Sequence, residues 1–144
     1  MGVAYKASVQ NSDYRFSAII PNGLVGWGAA PNAPFHGFAV FLGSDQTSCI
    51  VFEIHLRVDL PEDRVGERTP RKRGRRVEVG NRRGAETFET GSATGSALQN
   101  VNVSLELHRN GYTNDASITL VTPQIEAAQN KRVFERFLAS FHFE

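Results

Sequence analysis

Apolar and polar residues alternate with a period of two in residues 49–58 and 101–107 of this chain, and residues 116–122 form a further run with strand composition. Successive side chains of a β-strand point to opposite sides, so this alternation predicts strands with one buried and one exposed face. In the first stretch the predicted buried face holds Ile50, Phe52, Ile54, Leu56 and Val58. The turn sequence "NGYTND" between the other two stretches predicts an antiparallel hairpin.

Shorter stretches with strand composition occur elsewhere in the chain. They are residues 14–20, 38–42, 77–80 and 86–90. The segment "PNGLVGWGAAPNAPFHG" contains four glycines and three prolines, which predicts a loop over residues 21–37. The segment "GSATGSALQN" similarly predicts a turn-rich connector.

A helix is predicted near the end of the chain. Thr122 followed by Pro123 is typical of an N-cap and first helical position. Apolar residues then recur at spacings of three and four, at Phe134, Phe137, Leu138 and Phe141. Such a stripe predicts an amphipathic helix lying on a sheet. The chain is therefore expected to be a single α+β domain, residues 1–144, with a folded core over residues 12–144 and an antiparallel sheet of about five to seven strands.

Both ends of the chain carry a recognisable pattern. The first is "YRFSAIIPNGL"; the second is "ASITLVTP", a helix, and the ending "VFERFLASFHFE". They resemble the PsbP-like superfamily, which includes photosystem accessory proteins, Ran-binding nuclear import factors and bacterial lipoproteins of the DcrB type. The matching positions at the C-terminal end are Phe134, Phe137, Leu138, Ser140 and Phe141. The resemblance implies a PsbP-like sandwich, an antiparallel sheet between helices, with a binding or accessory role rather than catalysis.

Positive charge is concentrated in one segment. Residues 64–83 hold nine of the sixteen basic residues and two acids, a net +7, which leaves −6 on the rest of the chain. The candidate anion-binding residues are Arg71, Lys72, Arg73, Arg75 and Arg76. The segment has no aromatic residue for base stacking, and Gly66, Pro70 and Gly74 would interrupt a helix, which disfavours nucleic acid as its partner. The sequence favours a mobile, solvated loop over residues 62–76, and leaves an anionic partner as an alternative.

Two stretches carry a Glu-x-His pattern, Glu53 with His55 and Glu106 with His108. Each pair falls on one side of a predicted strand. If the two strands were neighbours, the four side chains could approach a metal ion, and zinc accepts such ligands. Cross-strand polar pairs on a half-exposed sheet face are the favoured explanation of the pattern, so no metal is assigned.

The remaining candidates are the aromatic and histidine side chains of the predicted loop, Trp27, Phe35 and His36, which could contact a ligand. Cys49, the only cysteine, shows no nucleophile motif and is interpreted as a small apolar side chain. No catalytic set of residues and no cofactor motif is found. The sequence therefore favours a non-enzymatic domain that binds a protein or a small ligand, through the loop with Trp27 or through the sheet face with Glu53, His55, Glu106 and His108.

Two alternatives stay open: a metal-dependent enzyme using the Glu/His face, and an anion- or nucleic-acid-binding protein using the basic segment. No stretch is long and apolar enough for a transmembrane helix. The sequence as written suits the cytoplasm, whereas a removed export signal would place it in the periplasm or as a bacterial lipoprotein.

Overall fold

The computed structural model describes residues 3–12, 14–28, 37–42, 48–55, 74–93, 96–109 and 112–144. Within them the chain forms eleven strands and one α-helix. The strands are β1 Val3–Lys6, β2 Ser8–Asn11, β3 Phe16–Ile19, β4 Val25–Gly28, β5 Gly37–Phe41, β6 Cys49–His55, β7 Arg75–Val79, β8 Arg82–Ala93, β9 Ser96–Arg109, β10 Tyr112–Pro123 and β11 His142–Phe143. A 3₁₀ turn, Gln124–Glu126, leads into the helix α1, Ala127–Ala139.

The described strands form two antiparallel sheets. Eight of them have the order β1-β4-β5-β6-β10-β9-β8-β7, and three have the order β11-β3-β2. The chain passes from the large sheet to the small one at Ala7, which adopts a positive φ of 66°. The Ala7 carbonyl accepts a hydrogen bond from the Ile20 amide at 2.8 Å, which holds this corner against the end of β3.

The core lies between one face of the large sheet and a layer made of α1 and the small sheet. Buried side chains alternate along β6 and β9 as predicted, and along β10 as well; they include Ile50, Phe52, Val103 and Ile118. Phe16 of the small sheet contacts Phe52, with ring centroids 5.0 Å apart. The period-two pattern of the sequence therefore identified the covered face of the sheet.

The helix packs as the apolar stripe predicted. Phe134, Phe137 and Leu138 are buried, and the Phe137 ring meets Phe38 of β5 edge-on, with centroids 6.0 Å apart. Phe141 is also buried, just beyond the helix, where β11 turns back to pair with β3. One α-helix on an antiparallel sheet confirms the α+β class.

The prediction of five to seven strands was too low, since the large sheet alone has eight within the described residues. Two strands, β1 and β2, lie ahead of residue 12, where the folded core was expected to begin. β4 lies in the segment predicted to be a loop because of its glycines. A Cβ at Gly28 would lie 2.5 Å from the Gly37 carbonyl oxygen, so this glycine reflects the close approach of β5 rather than a turn.

Two boundaries also differ from the prediction. β8 continues to Ala93 and β9 begins at Ser96, so most of the expected connector is paired strand. Thr122 does not cap the helix, because β10 runs on through Pro123. The fully buried Thr122 hydroxyl instead accepts a hydrogen bond from Asn130 Nδ2 at 2.9 Å and donates to the Pro123 carbonyl. It ties the sheet to the first half of α1.

Candidate binding surface

The side of the large sheet that points away from α1 is called the open face here. One row of side chains on this face crosses seven strands in register. The row is Ala4, Trp27, Ala39, Val51, Thr119, Asn102 and Thr87. Because α1 and the small sheet pack on the other side, the described part of the chain places no helix over this row.

The half of the row nearest β1 is apolar. Trp27 lies between two alanines, Ala4 and Ala39, and 51% of its surface is exposed. Val51 and Phe41 are partly buried beside it. A large indole between small neighbours has few side chains to pack against, which leaves its face accessible. The sequence singled out Trp27 but placed it in a loop; the strand β4 gives it a fixed position instead.

The other half of the row is polar and internally hydrogen-bonded. Asn102 Nδ2 donates to Thr119 Oγ1 at 2.7 Å, and Ser104 Oγ donates to Asn102 Oδ1 at 3.0 Å. These bonds fix neutral side chains on two neighbouring strands. The open face thus changes from apolar to hydrogen-bonding along a single row, a combination found in many protein interfaces.

The two Glu-x-His stretches are not on neighbouring strands, which was the condition for a shared metal site. β10 lies between β6 and β9, and its Asp115 is in register with His55 on one side and Glu106 on the other. Strands spaced about 4.8 Å apart put β6 and β9 about 10 Å from each other. The side chains of His55 and His108 lie outside the described residues. Among the side chains that are described, no group of three or more potential ligands is placed to hold a metal ion.

Three acids nevertheless come together on the open face. Glu53, Asp115 and Glu106 lie on the neighbouring strands β6, β10 and β9. Asp115 is directly opposite Glu106, and Glu53 is opposite Ser117, the next residue of β10 on the same face. Sequence reasoning found both glutamates but missed Asp115, because only the strand order shows that β10 separates them. We call these three residues the acidic rim.

Cys49 is partly buried on the open face, in register with Phe41 and Val121. Burial raises the pKa of the Cys49 thiol above its ordinary value. The thiol is therefore protonated near neutral pH, whereas a nucleophilic cysteine needs a lowered pKa. This agrees with its interpretation as a small apolar side chain.

The basic segment is described only in part. Arg71, Lys72 and Arg73 lie outside the described residues, as do Phe35 and His36 of the candidate ligand-binding set. Arg75 and Arg76 begin β7, two residues before the expected start of that strand.

Arg75 has a structural partner that the sequence did not reveal. Its guanidinium lies 2.9 Å from Glu86 Oε1, and Lys131 Nζ of α1 lies 3.2 Å from the same oxygen. Glu86 is only 2% exposed. Two cations from two different elements therefore meet one buried carboxylate, which links the sheet edge to the helix.

No protein-family model matches the sequence, and a search of curated proteins finds no match. Solved structures do match the fold. LpqN of Mycobacterium tuberculosis, described as involved in cell envelope biogenesis, is 11% identical with a TM-score of 0.64, over 98% of this chain and 90% of LpqN. A crystal structure from Bacteroides thetaiotaomicron is 12% identical with a TM-score of 0.60, over 96% of this chain and 48% of that one. This chain therefore spans about half of the Bacteroides protein. The cyanobacterial PsbP (CyanoP) of Synechocystis also matches, at 13% identity and a TM-score of 0.44, over 99% of this chain and 92% of CyanoP.

The fold of this chain is shared with LpqN and with the Bacteroides protein, and identities of 11–12% support the fold and no more. The resemblance drawn from the two ends of the chain therefore stays at the level of fold. Among the described residues, no helix has the length and apolar character to cross a membrane.

Proposed function

We propose that this protein is a non-enzymatic binding domain that presents its open face to a protein partner. The observation that carries the proposal is Trp27, half exposed at a fixed position in a row that spans seven strands. Tryptophan is among the residues that contribute most to binding when they are buried in an interface. A partner that covered the indole would remove this exposed apolar surface from water.

The open face has the size that a protein partner needs. Seven strands spaced about 4.8 Å apart extend roughly 29 Å across the sheet. A typical stable interface buries about 800 Å² on each partner, a patch of comparable width. The apolar half around Trp27 and the hydrogen-bonding half around Asn102 would give such an interface its apolar centre and its polar contacts.

The test begins with site-specific photo-crosslinking in cells that make the protein. A crosslinker replaces Thr119 on the open face, and a control crosslinker replaces the exposed Glu135 on α1. The partner is then purified and its affinity measured with variants. Trp27→Ala should weaken binding by about 30-fold, the effect of an interface residue that contributes about 2 kcal/mol.

The control is Ile125→Ala, since Ile125 is 93% exposed and precedes α1 on the other side of the molecule. It should leave the affinity unchanged. A partner that crosslinks only at residue 135, or that binds Trp27→Ala as tightly as the natural protein, would overturn the proposal.

A further inference from the structure

Apart from the open face, the molecule has a cleft between α1 and the turn that joins β3 to β4. Its volume is about 520 Å³, within the range of sites for small molecules. Ile20 and Phe137 form its buried floor, and both are at most 2% exposed. It is separate from the open face, because it lies on the side of the sheet that carries the helix.

The walls of the cleft combine apolar side chains with a few neutral polar ones, among them Asn22 and Gln129. Ile19 is 62% exposed, and Leu24, Leu42 and Val133 are partly buried around the same space. Exposed branched residues clustered in a concave site are typical of a binding cleft rather than of isolated surface positions. The site therefore favours a ligand with an apolar body.

Polar contacts tie the helix to the sheets at both ends of the cleft. At one end the Ser140 hydroxyl accepts a hydrogen bond from the Ile19 amide at 3.0 Å, which fixes the end of α1 to β3. At the other end Asn130 is bonded to Thr122 of β10. These two helix residues are ten positions apart, about 15 Å along the axis, so the cleft extends along most of α1.

The turn that forms the outer wall is also specified by sequence. The Leu24 amide donates to the Pro21 carbonyl at 3.0 Å, and Gly23 has a φ of 82°. A glycine with positive φ at the third position is what a type II turn requires. A smaller lobe of about 460 Å³ continues beyond this turn and shares Ile19, Ile20 and Leu24 with the first.

The charge around the cleft has one sign. Arg136 lines the main lobe and Lys6 lines the smaller one, whereas no Asp or Glu is among the described residues that line either lobe. A cation in the last turn of a helix is favourable in itself. Placed at the mouth of an apolar cleft, its planar guanidinium can also hold a carboxylate through two hydrogen bonds.

We propose that this cleft binds a medium-chain fatty acid, with its carboxylate on Arg136 and its alkyl chain along Ile19, Leu24 and Val133. The apolar walls supply the affinity and the guanidinium supplies the preference for an anionic head. The elongated shape favours a single unbranched chain over a compact ring system. This binding uses a different surface from the one proposed for the protein partner.

Isothermal titration calorimetry with octanoate, decanoate and dodecanoate, each below its critical micelle concentration, tests how much the alkyl chain of the ligand contributes to binding. The dissociation constant should fall about fourfold for each added methylene, the contribution of one buried CH₂. Dodecyltrimethylammonium, with the same chain and the opposite charge, should bind at least tenfold more weakly than dodecanoate. Equal binding of the two, or no binding of dodecanoate, would overturn the proposal.

Paired variants test the location. Arg136→Gln should weaken dodecanoate about tenfold, whereas Arg132→Gln, an exposed arginine of the same helix outside the cleft, should not. Ile19→Thr should weaken binding, and Ile125→Thr should not, although both isoleucines are exposed. Equal effects within either pair would show non-specific adsorption and refute the site. Trp27→Ala should leave dodecanoate affinity unchanged, so a failure of one proposal does not imply the failure of the other.

Discussion

Glu86 shows most clearly how a single residue depends on contacts that are distant in the chain. It belongs to a strand predicted from "ETFET", yet its carboxylate is buried and meets Arg75 at the sheet edge and Lys131 on α1. Lys131 also lies over the Phe88 ring, 4.7 Å from its centroid. The sequence predicts the strand, but it does not predict which cations approach this acid, because they come from positions 11 residues before it and 45 residues after it.

Lys131→Met should destabilise the fold by about 1.5–3 kcal/mol, since a buried carboxylate would lose one of two charged hydrogen-bond partners. The methionine retains most of the stem that packs beside Phe88. Urea unfolding measures the change. The control is Glu135→Gln, because Glu135 is 58% exposed and 4.0 Å from the same lysine. An exposed pair contributes little, so this change should stay within about 0.5 kcal/mol. Equal effects of the two substitutions would show that Glu86 does not depend on Lys131.

At the scale of elements, the local sequence pattern predicted whether a segment is a strand or a helix better than it predicted where that element begins and ends. The stripe of α1 and the alternation of β6 and β9 were confirmed, and so was the β9–β10 hairpin. β4 was missed because Gly26 and Gly28 resemble turn residues, although a Cβ at Gly28 would lie only 2.5 Å from the Gly37 carbonyl oxygen of β5. The order of strands in a sheet was not predictable from the sequence beyond the hairpins. The Glu/His site assumed that β6 and β9 are neighbours, whereas β10 lies between them.

Phe137→Ala should destabilise the protein by about 3–5 kcal/mol, because a large side chain is removed from the interface between helix and sheet. Phe137 is 1% exposed and its ring contacts Phe38 and Phe141. Chemical denaturation measures the loss. Ile125→Ala is the control, since a 93% exposed side chain should change stability by less than about 0.5 kcal/mol. A small effect of Phe137→Ala would contradict the packing of α1 on the sheet.

At the scale of the whole molecule, the two sides of the large sheet differ. One side is covered by α1 and the small sheet and holds the core, with the fatty-acid cleft at its margin. The other carries Trp27 and the acidic rim. Composition and charge did not predict which residues share a side of the sheet. Each side consists of residues from seven strands, and only the pairing register of those strands brings them together. The resemblance found at the two ends of the chain predicted a fold of this kind. The fold by itself does not identify a binding partner.

The central claim is that Trp27 is accessible in the free protein and is covered by the partner. Because Trp27 is the only tryptophan, its fluorescence reports this one position. Acrylamide quenching should therefore be efficient in the free protein, as expected for an indole that is 51% exposed. Adding the purified partner, identified by crosslinking at the open face, should reduce the quenching constant severalfold and shift the emission to shorter wavelength. An unchanged quenching constant in the saturated complex would contradict the account.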